Sequence, residues 1–154
     1  MDITAKLTEL GLELPKAAAP VAAYVPVVEH GGLLYVSGQL PFRDGQVVTG
    51  RLGDDMDVAS GQDAAQRVAL MLIAQIAQAL GGDLSRVERV IKLGVFVNSA
   101  PSFTDQAKVA NGASDLFETL FGEAGRHARA AVGVAVLPLG AAVEADAIVA
   151  VKPA

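Results

Sequence analysis

The 154-residue chain has no cysteine. Disulfides, thiolate metal centres and cysteine nucleophiles are therefore excluded. Only two histidines are present, so no metal site is expected. Basic residues are also scarce: twelve Lys and Arg stand against seventeen Asp and Glu, giving a net charge of −5. Aromatic residues make up 5%. Nucleic-acid binding draws on a basic face and, for RNA, on stacking aromatics, so no nucleic-acid partner is expected. No uninterrupted apolar run is long enough for a membrane span. The longest stretch, Ala64 to Leu80, is broken by Gln66, Arg67, Gln75 and Gln78 and reads as a soluble helix. Met1 to Lys6 lacks the basic and apolar regions of a signal peptide. The expectation is a cytoplasmic protein without a membrane partner.

Other familiar signatures are missing too. Gly31-Gly32 and Gly81-Gly82 fit a turn and a helix stop, not a dinucleotide or phosphate loop. The acidic run Gly53-Asp54-Asp55-Met56-Asp57 lacks the calcium-loop spacing. What the chain has in excess is apolar side chains: 52% hydrophobic against 19% charged. Residues 1–154 are read as one domain, with 1–20 a helix and lead-in and 24–151 the core. So apolar a composition suggests surface covered by other subunits.

Ile3, Leu7 and Leu10 are spaced for a short helix within residues 2–12, followed by an extended lead-in from Leu14 to Pro20. Tyr24–Val28 and Leu33–Val36 read as a hairpin turning through Glu29-His30-Gly31-Gly32. Ser37 to Pro41 is expected to leave the sheet, and Arg43-Asp44-Gly45-Gln46 to turn. Asp57 or Ser60 caps a long helix to about Leu80, whose apolar stripe suits packing on a sheet. Ile91, Leu93, Val95 and Val97 alternate as a third strand. Ser102 with Asp105 suggests a capping box for a second helix running to about Phe121, in which Gly112 is a weak point. The predicted order is β-β-α-β-α-β-β, an α+β fold with helices on one face of the sheet and the other face still to be covered.

The final thirty residues concentrate the chemistry. Val132, Val134 and Val136 alternate, and so do Val143, Ala145, Ala147, Val149 and Val151 after a loop through Leu137 to Gly140. Arg129, Ala131, Gly133 and Ala135 share a face that is nearly bare apart from the arginine. A cation over an Ala/Gly floor leaves room for a small ligand. Glu144 and Asp146 share a face in an apolar segment, where carboxylates are costly to bury unless paired or used. If the two strands form one hairpin, Arg129 falls opposite Ala150. Glu144 is then six residues away, roughly 20 Å at ~3.3 Å per residue. A ligand touching both would need Arg129 from one subunit and Glu144 from a neighbour.

Tyr24, Ser37-Gly38-Gln39-Leu40-Pro41, Phe96-Val97-Asn98, Asn111, Ala128-Arg129 and Leu137-Pro138 followed by Val143-Glu144 occur in one order and spacing. On these residues the chain resembles the Rid family, the YjgF-like reactive-intermediate (imine/enamine) deaminases, from about Tyr24 to Val151. Asn111 to Phe117 and Phe121 to Arg129 are similar to a longer branch of that family. The resemblance implies a chorismate-mutase-like fold and a homotrimer whose sheets form a central barrel, with sites in the clefts between subunits. It implies hydrolysis of 2-imino or enamine acids such as 2-aminoacrylate to 2-keto acids and ammonia, with no cofactor. Carried over by position, Arg129 holds the substrate carboxylate and Glu144 positions or activates water. Tyr24, Ser37, Gly38 and Asn111 line the pocket. Ala131 stands where the family often has cysteine, and Ser114 where the better-known branch has an aromatic residue. Both departures enlarge the pocket or make it less reactive.

The chemistry is compatible with so small a kit. A 2-imino acid is already electrophilic, arginine offers a carboxylate two parallel charge-assisted hydrogen bonds, and a carboxylate in apolar surroundings can orient water. Competing assignments are structural. Arg129 would cap a loop or pair with an acid, and Glu144 and Asp146 would serve as salt-bridge partners. His127, beside Arg126, is a general-base candidate for which a surface or capping role is the favoured expectation, and His30 is expected to be solvated in its turn. Two other functions stay open: a non-catalytic, small-carboxylate-binding regulatory trimer, and the endoribonuclease or translation-inhibitor activity attached to family names.

Overall fold

The computed structural model describes residues 2–19 and 22–154. Helix α1 (Ile3–Glu9) is followed by a segment without helix or strand through residue 19. Pro20, where the predicted lead-in ends, lies outside the described residues. Strands β1 (Val27–His30) and β2 (Leu33–Gln39) come next, then the short pair β3 (Phe42–Arg43) and β4 (Gln46–Val47). Helix α2 (Val58–Ala79) precedes β5 (Val87–Asn98), α3 (Gln106–Phe121), β6 (Ala128–Val134) and β7 (Val143–Val151). Five strands form one mixed sheet in the order β1-β2-β7-β5-β6.

The β1–β2 hairpin turns more tightly than expected. Both strands run to the two-residue turn Gly31-Gly32, whose φ values of 61° and 78° suit the inward twist of such hairpins. Ser37 to Gln39 stays in the sheet instead of leaving it. A bulge between the Val36 and Gln39 pairings absorbs the irregularity. The Arg43 to Gln46 turn is the tip of the β3–β4 pair.

The predicted hairpin between the last two strands is corrected. β6 does not pair with β7; it lies parallel to β5, with α3 as the crossover, while β7 is antiparallel to both β5 and β2. Parallel neighbours need such a long connection, and α3 supplies it. β7 is thereby a central strand and β6 an edge. Asn98 at the end of β5 fastens the connection into β7: its side-chain amide donates to Ala141 O at 3.2 Å and its backbone N–H to Ala142 O at 2.9 Å.

One face of the sheet carries the core. In β7, Val143, Ala145, Ala147, Val149 and Val151 are buried, opposite Val97, Val95 and Leu93 of β5, against α2 and α3. Alternate residues Glu144, Asp146 and Ile148 face the other way, which is the period-two pattern of a half-buried strand. That second face is unfinished. Val28, Tyr35 and Val132 on it are 50%, 45% and 48% exposed.

Asp57 caps α2, its carboxylate accepting from the Ser60 N–H at 2.8 Å. Buried residues occur all round this helix, Leu70 and Met71 included, because Gly11 to Ala19 crosses its outer side. Gln75 of α2 fastens that crossing by donating to Ala18 O at 3.1 Å. The predicted capping box of α3 is absent: the helix starts at Gln106 behind Asp105, which makes no side-chain cap bond. Gly112 is not a defect in α3. A Cβ there would lie 2.7 Å and 2.8 Å from the carbonyl carbon and Cα of Gln62, so this glycine is where α2 and α3 approach backbone to backbone.

Candidate functional site

Arg129 sits on the helix face of edge strand β6, opposite Leu93, and its guanidinium is held against α3. Nη1 donates to Asn111 Oδ1 at 2.9 Å and to Ser114 Oγ at 3.1 Å, and Nη2 donates to Ala107 O at 3.3 Å. Nε–H and one Nη2–H have no protein acceptor among the described residues, leaving donors for an outside anion. Asn111 and Ser114 are three apart on α3 and so present to one side. Ala131 follows Arg129 on the same face, half-buried against the core. Beyond it the floor closes, because a Cβ on Gly133 would meet Ser99 Oγ at 2.6 Å and Gln106 Nε2 at 2.9 Å.

His127, expected as a surface or capping residue, belongs to this cluster. Its Nε2 lies 2.9 Å from Ser114 Oγ and its Nδ1 2.6 Å from Gly125 O. A carbonyl can only accept, so Nδ1 carries the proton and Nε2 accepts the Ser114 hydroxyl. Burial chiefly, with the Arg129 charge adding to it, holds His127 below its ordinary pKa of 6.5 despite the Gly125 carbonyl and Glu118. The ring meets Phe117 edge-on, with centroids 6.0 Å apart. Ser114, Glu118, Arg126, His127 and Arg129 line a small concavity of about 190 Å³.

Glu144 occupies the opposite face. Its carboxylate covers Gly38, where a Cβ would lie 3.0 Å from the Glu144 carboxyl carbon and 3.2 Å from Oε2. Asp146 covers Gly94 in the same manner, a Cβ there falling 2.5 Å from Oδ1. The two glycines let the carboxylates lie flat on the sheet. Burial first, and the Asp146 charge second, raise the Glu144 pKa above its ordinary 4.5. Ser37, Asp146, Gly94, Phe96 and Val25 line a concavity of about 630 Å³ on this face. Ser37 Oγ accepts a long 3.4 Å bond from Gln39. Tyr24 precedes β1 and is 57% exposed.

The candidate residues therefore fall into two groups. Arg129, Asn111, Ser114 and Ala131 meet beside α3, while Glu144, Gly38 and Ser37 meet on the open face. In the register Arg129–Leu93–Ala147, Arg129 is two strands and three residues from Glu144. That places their Cα atoms roughly 14 Å apart by strand geometry, on opposite faces. The hairpin pairing behind the 20 Å expectation was wrong, yet a ligand shared within one chain is excluded by this arrangement as well. His127 stands out in the sequence as a general-base candidate beside Arg126, but its spacing of two from Arg129 on an extended segment, which places both side chains on one face, was the signal that ties it to this cluster.

A family model described as "YjgF/chorismate mutase-like, putative endoribonuclease" matches residues 4–147. Protein TCP17 of Trypanosoma cruzi is 58% identical over 149 residues, covering 96% of this chain and 92% of its own length. The 2-iminobutanoate/2-iminopropanoate deaminase of Dermatophagoides farinae is 29% identical over 143 residues, covering 92% and 95% respectively. The crystal structure of Atu1372 from Agrobacterium tumefaciens, a protein of unknown function, matches with a TM-score of 0.93 at 55% identity, over 97% of this chain and 92% of that one. A match of this extent to the family model and to a relative so similar places the chain in the YjgF/RutC family, with its chorismate-mutase-like fold.

Proposed function

We propose that the protein hydrolyses 2-imino and enamine acids to 2-keto acids and ammonia, without a cofactor, in a homotrimer with sites between subunits. The observation that carries this reading is the half-satisfied guanidinium of Arg129. Three protein acceptors fix its orientation while Nε–H and an Nη2–H stay available for a carboxylate. The deaminase of Dermatophagoides farinae supports the reaction class.

In this mechanism Arg129 anchors the carboxylate of the 2-iminium acid beside α3. Glu144 of a neighbouring subunit, its basicity raised by burial and Asp146, accepts a proton from water as the oxygen bonds to the imine carbon. The carbinolamine then collapses: Glu144 returns the proton to nitrogen, the C–N bond breaks, and the hydroxyl proton passes to Glu144 as the C=O forms, to be carried off by the departing ammonia as ammonium. Ser37 and Gly38 of the open face, with Tyr24 ahead of β1, complete the pocket around the water. Opposite-face placement of Arg129 and Glu144 is the reason the site requires two subunits. The apolar open face of Val28, Tyr35, Phe96, Val132 and Ile148 supplies a surface for one to cover.

The test generates an imine in place with an amino-acid oxidase and lets semicarbazide compete for it. Wild type is expected to speed keto-acid formation; Arg129→Ala is expected to lose that acceleration, and Glu144→Gln to lose about 10²–10⁴-fold. No acceleration across several imino acids would refute the deaminase reading and leave a carboxylate-binding trimer, which shares the Arg129 geometry. Endoribonuclease action finds little support in a chain of net charge −5, and salt-dependent RNA binding would be the sign of it.

A further inference from the structure

We propose that His127 is a positioning residue for Arg129, acting through the Ser114 hydroxyl. This rests on reading Arg129 as the carboxylate anchor. Gly125 O receives the Nδ1 proton of His127, so Nε2 presents a lone pair toward Ser114. Ser114 donates its only hydroxyl proton there, which turns its oxygen lone pairs toward Arg129 Nη1 at 3.1 Å. Each link has one polarity, and the chain of bonds ends on the cation.

Without the imidazole acceptor the Ser114 hydroxyl is free to rotate. Its proton can then swing toward the guanidinium, where it is repelled, and Nη1 keeps only Asn111 as a dependable acceptor. The fork loses its fixed plane, although no group that touches substrate has been removed. The surroundings fit a polarised link better than a surface histidine. Phe117 braces the ring edge-on, and the turn carrying Gly125 O is pressed onto α3, where a Cβ on Gly125 would lie 2.6 Å from the Phe117 carbonyl carbon. Burial favours the neutral ring that this polarity requires.

Three variants separate polarity from packing. His127→Phe keeps a planar ring and removes the acceptor. His127→Gln restores an acceptor near the Nε2 position, and Ser114→Ala removes the link without touching the ring. Binding of pyruvate, an inert 2-keto acid, is measured by calorimetry alongside imine turnover, with Arg129→Ala as reference. Loss of one directed bond to a charged group is expected to weaken pyruvate binding about tenfold in His127→Phe and Ser114→Ala. KM is expected to rise by a similar factor with kcat little changed, and His127→Gln to recover most of the loss. The Arg129 Nε–H resonance in the nitrogen-15 spectrum is expected to broaden in His127→Phe and sharpen again in His127→Gln.

Wild-type binding by His127→Phe would overturn the proposal while leaving Arg129 in its role, whatever Ser114→Ala does. Failure of His127→Gln to rescue would overturn it in favour of ring packing. Undiminished pyruvate binding by Arg129→Ala would overturn the anchor reading itself, and this proposal with it. Should His127→Phe fail to fold, His127→Leu, which also removes the acceptor, takes its place beside His127→Gln.

Discussion

Replacing Gly112 by alanine sets two effects of opposite sign against each other. Alanine is a better helix former than glycine by about 1 kcal/mol at an interior position, so α3 alone would gain stability. The added methyl, however, meets backbone. It would lie 2.7 Å from the Gln62 carbonyl carbon and 2.8 Å from its Cα, and would collide with the carbonyl oxygen. Backbone of a 22-residue helix cannot rotate aside as a side chain can. Restoring ordinary contact requires the two helices to part by roughly 1 Å, and overpacking of this kind costs typically 1–3 kcal/mol, here at the upper end. The balance is a net loss of about 2 kcal/mol, or about 4–8 °C in Tm for a chain of this size. Thermal unfolding followed by circular dichroism measures it directly. Because Asn111 and Ser114 ride on the same helix, pyruvate binding should weaken in parallel. A Gly112→Ala protein with unchanged or higher Tm would show that the α2–α3 approach is looser than the structure has it, and would refute the reasoning.

Mixing offers a second test. Arg129→Ala and Glu144→Ala proteins, each inactive, should regain about a quarter of wild-type activity after equal mixing and subunit exchange, since one trimer interface in four then joins an intact arginine to an intact glutamate. No recovery after demonstrated exchange would argue against a shared site. Glu144→Gln should raise Tm at neutral pH while slowing turnover about 10²–10⁴-fold, because burial makes the ionised carboxylate costly. The gain should shrink as pH falls through the raised pKa toward 4.5 and vanish below it. His127 works with the other sign. Its folded pKa lies below 6.5, so the unfolded chain binds the proton more readily and stability should fall as pH drops below 6.5, less so in His127→Gln. The Asp57 carboxyl is held below 3.8, mainly by the Ser60 N–H. The stability deficit of Asp57→Ala should be full above pH 3.8 and disappear as pH falls through the folded value, as thermal melts across pH would show.

Local pattern made most of the fold legible. The β7 alternation and the α2 stripe act within a few residues and stand where the spacing put them, with Asp57 the cap of the two candidates, while the β1–β2 turn tightens from four residues to Gly31-Gly32. Partner choice among strands was not legible in that way. Nothing in Val132 to Val151 says that β6 will join β5, because that depends on α3 docking and carrying the chain across the sheet. Gly112 was misread for a similar reason: propensity is a property of one helix, and the reason for this glycine lies on another. Arg129 and Glu144 stood out because charge is rare in such apolar strands, but their placement on opposite faces needed the register through β5. The link from His127 to Ser114 was not legible, because the two are thirteen residues apart and Ser114 lies on a helix.

The strict alternation of β7 also limits how the chain's length can change. This strand is hydrogen-bonded on both sides, to β2 and to β5, and five of its nine residues point into the core. One residue inserted near its middle would turn everything beyond that point over, sending Asp146 inward and Ala147 outward, or would force a new bulge into a strand clamped between two others. Insertions and deletions among homologues should therefore collect in the β3–β4 tip, where no such frame is counted. Within residues 143–151, variation should come only as substitution.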